Sequence, residues 1–118
     1  MKYLLMIYDN PDTRERFLGE AGGPLMAEMD ELLEELRRSG ELVRTDALAD
    51  PSQTRTVRVQ GGVPVVTDGP LAEAKEHFGG YLLVDCATIE RATEIAMRWP
   101  STRFSPMEVR PVFDGEDG

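Results

Sequence analysis

One cysteine, one histidine and one tryptophan occur in 118 residues, and aromatic Phe, Trp and Tyr together make up 7%. The single thiol, Cys86, has no partner for an internal disulfide, which fits a reducing compartment. With so few such ligands there is no closely spaced Cys/His set and no HExxH helix, so no metal site is expected. Positive charge is also scarce: 13 Lys and Arg stand against 22 Asp and Glu, a net charge of −9. Phosphate backbones are neutralised by Lys and Arg, so this balance argues against direct binding of nucleic acid. It argues equally against an anionic membrane surface. Apolar runs such as LLMI after Tyr3 are far too short to span a bilayer. The opening MKYLLMIYDN is too short in its apolar stretch for a secretory signal and lacks a small-residue cleavage site, so a cytoplasmic location is expected. The doublets Gly22-Gly23, Gly61-Gly62 and Gly79-Gly80 fit neither the Walker nor the dinucleotide fingerprint. No G-x-S-x-G elbow is present. No cofactor is expected, and metal-free acid–base chemistry is the enzyme class that keeps candidates.

What is present is the composition of a globular domain, 41% hydrophobic and 30% charged, long enough to bury a core without staples. Residues 1–112 are expected to form a single α+β domain. The acidic tail, residues 113–118, is expected to be disordered. KYLLMIY reads as a strand stopped by Asp9-Asn10-Pro11. Residues 9–23 read as a long connection in which TRERFL could make a helical turn, the Gly and Pro around it arguing against a long helix. A helix is expected from Pro24, its stripe Leu25, Met29, Leu32, Leu33 and Leu36 at helical spacing, ended by Ser39-Gly40. A strand near 41–47 follows. Then TRTVRV and VPVV form a hairpin around Gln60-Gly61-Gly62. Residues 71–76 are expected to wind one helical turn, and a strand to run from Gly80 to Asp85. Thr88 caps a helix over Ile89–Trp99, stopped by Pro100, and a last strand lies near 107–112. The order β-α-β, hairpin, β-α-β predicts a ferredoxin-like layout with an inserted hairpin.

Both faces of the predicted sheet are apolar. Tyr3, Leu5 and Ile7 face one way and Leu4, Met6 and Tyr8 the other; Leu82 and Val84 oppose Tyr81 and Leu83 in the same manner. Two helices cover one face of a sheet. An antiparallel sheet covered on one side normally alternates apolar with polar. The excess predicts a second copy packed sheet to sheet about a two-fold axis.

The stretch TDGPLAEAKEHFGGYLLVD carries most of the candidate chemistry. Asp68, at a turn built by Gly69 and Pro70, fits two readings: a general acid or base, or a carboxylate holding the turn. His77, the only histidine, is suited to move protons near neutral pH, or is a loop residue with a structural hydrogen bond. Glu73, Lys75 and Glu76 read as a charged rim, with Lys75 a candidate ligand contact. Tyr8 and Tyr81 either flank a pocket between subunits or pack an interface with polar tips. Asp9 begins the 9–23 connection that would wall a cleft. Arg58, with Arg55 and Arg110, either holds an anionic ligand or pairs with carboxylates. The catalytic candidates are therefore Asp68 and His77, and the substrate-binding candidates Tyr8, Asp9, Arg58, Lys75 and Tyr81.

MKYLLMIY, then TDGPLAEAKEHFGGYLLVD, then MEVRPV resemble the YCII-related family, specifically its DGPF-domain branch, over residues 1–112. Leu71 stands where that branch has phenylalanine. The resemblance implies a ferredoxin-like, dimeric α/β barrel. It implies no settled chemistry: members of the branch are mostly of unknown function, and many are thought to accompany extracytoplasmic-function sigma factors. Other branches look like small enzymes that use a histidine–aspartate pair. That pair does not carry over, because His77 lies in the DGP segment and not near the first helix. Two functions follow as expectations. One is a homodimer that binds a small molecule in a cleft. The other is a regulatory protein that meets a sigma-type partner through Glu28, Glu31 and Glu35.

Overall fold

The computed structural model describes residues 1–20, 22–71 and 75–115. Strand β1 (Lys2–Asp9) is central, and its alternation decides the architecture. Tyr3 and Leu5 are buried, while Leu4 and Met6 are half-exposed, as the period of two requires. Next to β1 lies β5 (His77–Asp85), antiparallel, with Leu5 opposite Leu82 and Tyr3 opposite Val84. Strand β2 (Leu42–Ala47) pairs with the far side of β5, and β6 (Met107–Pro111) with the far side of β1. The four-stranded order is β2-β5-β1-β6, every neighbouring pair antiparallel. The expected α+β class holds, but the sheet of one chain is open and not a closed barrel.

Helix α2 (Gly22–Ser39) buries Leu25, Leu32 and Leu36 against that sheet. It starts two residues before the expected Pro24. Gly40, at φ 81°, ends it as expected. Helix α3 (Ile89–Arg98) is capped by Thr88, whose hydroxyl accepts from Arg91 N at 3.1 Å, and it buries Ala92, Ile95 and Ala96. Leu5, Leu36, Leu82, Val84 and Ile95 are 0% exposed and form the centre of the core. Each such side chain contributes about 1.5–3 kcal/mol of burial. Beside it, Arg91 donates to Glu41 at 2.8 and 2.9 Å, tying the start of β2 to α3.

Several expectations are corrected. Residues 9–23 are not a loose connection, because Pro11–Leu18 form an eight-residue helix, α1. Asn10 is its cap, accepting from Thr13 N at 2.8 Å, and Pro11 occupies the first turn. Among the described residues there are therefore three α-helices where two, and at most a helical turn, were expected. Strand β5 begins at His77 and not at Gly80, so His77 is a strand residue. In the segment expected to wind a helical turn, residues 72–74 lie outside the described residues, and Leu71, Lys75 and Glu76 are bends. Of the tail, residues 116–118 also lie outside them.

The hairpin of β3 (Arg55–Gln60) and β4 (Val63–Asp68) forms a separate two-stranded sheet. Val57 faces Val66 and Val59 faces Pro64 across it, yet Val57 is 63% and Val59 69% exposed. It is an arm standing away from the core. The radius of gyration, 16.4 Å, accordingly exceeds the roughly 13–14 Å of a compact chain of this length.

Candidate functional site

The parity of β1 carries the row Tyr3, Leu5, Ile7 on to Asp9, which puts a carboxylate on the helix-covered side of the sheet. Three features hold it there. First, β1 and β5 slip register at this end: Ile7 pairs with Gly80 but Tyr8 with Phe78, so Gly79 is an extra residue. A Cβ on Gly79 would lie 2.8 Å from Asp9 Cγ, so only glycine leaves room for the carboxylate. Second, Arg14, one turn into α1, places Nη1 3.7 Å from Asp9 Oδ2 and Nε 3.8 Å from Asp50 Oδ1. Third, Asn10 ties the cap to the bend just before β5, its Nδ2 donating to Glu76 at 3.3 Å.

Asp9 opens into a cavity of about 390 Å3 between α1, α2 and the sheet. Its walls are mainly apolar, from Ile7, Phe17, Met26, Met29 and Leu33. The polar residues on its lining include Asp9, Arg14, Asp30, Asp46, Trp99 and Ser101. Trp99 follows the last residue of α3, and Ser101 lies in the 3-10 helix Pro100–Arg103 that Pro100 begins. Three buried side-chain atoms among the described residues have no hydrogen-bond partner: Asp9 Oδ1, Trp99 Nε1 and Ser101 Oγ. Buried polar groups are nearly always paired, so these three are exceptions, and they belong to residues around one cavity. Burial pushes the Asp9 carboxyl above its ordinary value; Arg14 and His77 pull it back, while Glu76 and Asp50 add to the rise. A carboxyl whose ionisation is perturbed by burial beside a cavity is a candidate for a functional role.

The family model of the YCII-related domain matches residues 1–116. The chain belongs to the YCII-related family. A protein of Rhizobium meliloti (strain 1021), itself described as uncharacterized, is 28% identical over 114 residues, covering 95% of this chain and 92% of the relative. The family expected from the sequence is thus the family found, and the motif that suggested it has a place in the structure. HFGGY supplies the start of β5 and, through Gly79, the room for Asp9.

The candidates fall into three places. Asp9 lines the cavity, and Tyr8 before it reaches the cavity's edge from β1 although its phenol is turned to the other face of the sheet; His77 lies opposite Asp9 in the strand register. His77 also lines a second cavity of about 390 Å3, with Pro70, Leu71 and Phe78. Tyr8 and Tyr81 belong to the face of the sheet away from the helices. The Tyr8 phenol is held high by its hydrogen bond to Glu108. Tyr81 donates to Asp46 Oδ2 at 2.5 Å, and Arg44 Nε donates to the same oxygen at 2.7 Å. Asp68 and Arg58 are exposed on the arm and Lys75 on a bend; none of these three lines the Asp9 cavity. At the proposed acidic face, Glu28 and Glu35 are bound by Arg103 and Arg98. Among the described residues no cluster of three or more His, Cys, Asp or Glu is placed to hold a metal. Cys86 is buried, and burial pushes its thiol up, away from nucleophilic use.

Arg14, Trp99 and Ser101 were missed from sequence. A signal for Arg14 existed: Asn-Pro-Asp is also a helix start, and it sets Arg14 four residues beyond the cap. Trp99 and Ser101 had none beyond the rarity of tryptophan, since an apolar stripe accounts for the indole.

Proposed function

We propose that the protein is a cytoplasmic homodimer that binds a small molecule in the Asp9 cavity, where Asp9 exchanges a proton with it. The observation that carries this reading is the mainly apolar cavity with Asp9 and Arg14 on its wall, the Asp9 carboxylate held there by the room that Gly79 leaves. Cavities that hold small ligands are of this kind, largely apolar with a few convergent polar groups. His77, beside Asp9 in the register, is the group nearest to hand for relaying the proton to solvent.

The dimer rests on the other face of the sheet. The register aligns Leu4 with Leu83 and Met6 with Tyr81. All four are only half-buried, and no described segment covers them. Sheet-to-sheet packing of two ferredoxin-like units would bury this face, and about 800 Å² per partner is the usual size of a stable interface. The DGPF branch is the finer family placement that the DGP turn at Asp68-Gly69-Pro70 supports. A sigma-type partner on Glu28, Glu31 and Glu35 has less behind it, because arginines already neutralise two of the three.

Sedimentation at micromolar concentration tests the assembly. A dimer is expected, and Leu4→Asp with Leu83→Asp should yield folded monomers; a wild-type monomer would refute it. Native mass spectrometry of protein taken directly from cells tests the cavity. A bound small molecule is expected in the wild type and absent in Phe17→Trp, which fills the space from α1.

A further inference from the structure

Resting on the reading of Asp9 as the proton-exchanging group, we infer that Asp50 is its positioning residue, holding Arg14 short of Asp9. The guanidinium stands between two carboxylates, with Nη1 3.7 Å from Asp9 Oδ2 and Nε 3.8 Å from Asp50 Oδ1. Both distances exceed hydrogen-bond length, so Arg14 closes on neither. Moving in to an ordinary contact of ~2.8 Å would strengthen its attraction to Asp9 by about a third and add a charge-assisted hydrogen bond. Both effects favour the ionised form of Asp9. By sharing Arg14, Asp50 keeps Asp9 a weaker acid than a closed ion pair would make it.

Asp50 is built to hold its ground. Its Oδ2 accepts from Ser52 N at 2.9 Å and its carbonyl from Gln53 N at 2.9 Å, which makes it the cap of the 3-10 helix Pro51–Gln53. Thr54 N then donates to Pro51 O at 3.0 Å, and Thr54 O accepts from Gly69 N at 2.7 Å. The DGP turn, remote from the cavity, thus braces the loop that presents Asp50. On the other side Arg14 N donates to Asn10 O at 2.9 Å, so helix α1 fixes the arginine's backbone. The bond from Ser52 also holds the Asp50 carboxyl below its ordinary value, whereas burial raises Asp9. Asp50 is therefore ionised wherever Asp9 titrates.

Other charges face Asp9 too. His77 from β5 favours its ionised form, as Arg14 does, and Glu76 from the bend before β5 opposes it. Asp30 from α2 and Asp46 from β2 line the same cavity, Asp46 already engaged by Tyr81 and Arg44. Among the charges acting on Asp9, Arg14 has the largest effect and direct repulsion from Asp50 the smallest. What Asp50 does to Asp9 it therefore does through Arg14.

Carboxyl carbon NMR of the full chain, followed from neutrality into acid, reads this directly. The Asp9 signal is assigned by its loss in Asp9→Asn. Asp50→Asn removes the charge but keeps a side-chain oxygen for Ser52 N, so the loop is retained. In that variant Asp9 is expected to titrate at lower pH than in the wild type, because Arg14 is released to it. Arg14→Gln is expected to move Asp9 to higher pH. With Arg14→Gln in place, Asp50→Asn should move Asp9 far less than it does with the arginine present. An Asp9 signal unmoved by Asp50→Asn, or an equal fall with and without Arg14, overturns the inference and leaves the cavity reading standing. If Asp9 of the wild type titrates below the ordinary 3.8, the inference and proton exchange at Asp9 fall together.

Discussion

Asp9-Asn10-Pro11 and Asp68-Gly69-Pro70 are close to twins as tripeptides. Each aspartate is the last residue of its strand, β1 or β4, and each proline follows one residue later. Their fates differ because of the middle residue and of what lies beyond. Asn10 stays extended, at φ −139°, and caps α1, which folds back over Asp9. Gly69 turns at φ +94°, its N–H donating to Thr54 O at 2.7 Å, and closes the base of the exposed arm. One carboxylate loses water and gains an arginine; the other keeps its water. The comparison teaches that a turn motif confers chemistry only where the tertiary fold desolvates it.

A third carboxylate sets the scale for that contrast. Glu41 is held down to about 2 by two hydrogen bonds from Arg91 and one from Ser39. A depressed carboxyl stabilises the fold fully above its unfolded value, and the contribution is lost as pH falls from the ordinary 4.5 toward about 2. Urea unfolding near neutrality and at about pH 3 should show the loss, up to about 3 kcal/mol in full for this group, and Glu41→Gln should remove that share of the difference, leaving what Glu28, Glu35, Asp46 and Asp50 add.

Next in size is the glycine pair. Gly79→Ala drives a Cβ into the Asp9 carboxylate and should cost about 2 kcal/mol, much of it recovered in the double variant with Asp9→Ala. Gly69→Ala strains a left-handed φ with nothing within 4 Å, so its cost of about 1 kcal/mol should be the same with or without Asp68→Ala. Equal coupling in the two pairs would erase the distinction between the sites.

The aspartates themselves give smaller effects. Asp9 has a raised carboxyl, so its sign is opposite to that of Glu41. Acid protonates it in both folded and unfolded chains at no cost. As pH climbs through the ordinary 3.8 the unfolded chain ionises first, and the penalty is complete above the folded value. Asp9→Asn should therefore raise the melting temperature near neutrality, with the gain vanishing in acid. Smallest of all, Asp68→Asn should stay within about 0.5 kcal/mol, as exposed positions do. A melting curve that moved more for Asp68→Asn than for Asp9→Asn would reverse the assignment.

Much of the architecture could be read directly from the residues. Leu25, Leu32 and Leu36 announced α2, Thr88 and Pro100 bracketed α3, and the double apolar alternation of β1 and β5 announced a sheet with a second apolar face. These are local signals, since period and capping depend on neighbours a few residues away. Helix α1 escaped because it has few apolar residues and its start doubles as turn chemistry. The site was legible only in fragments. Asp9 and Tyr8 were named, but Asp68, Arg58 and Lys75 stood out by motif and charge and lie away from the Asp9 cavity.

The sequence by itself determined the periods, the caps, the family signature and the chain's surplus of negative charge. Tertiary structure alone decided that Asp9, Arg14, Trp99 and Ser101 share one cavity, since they come from β1, α1 and the end of α3, up to 92 positions apart. It also decided that Gly79 makes room for a carboxylate 70 positions earlier. The physical reason is that periodicity and capping are set by the nearest turns of the chain, whereas burial and hydrogen-bond satisfaction are set by whichever segments the core draws together.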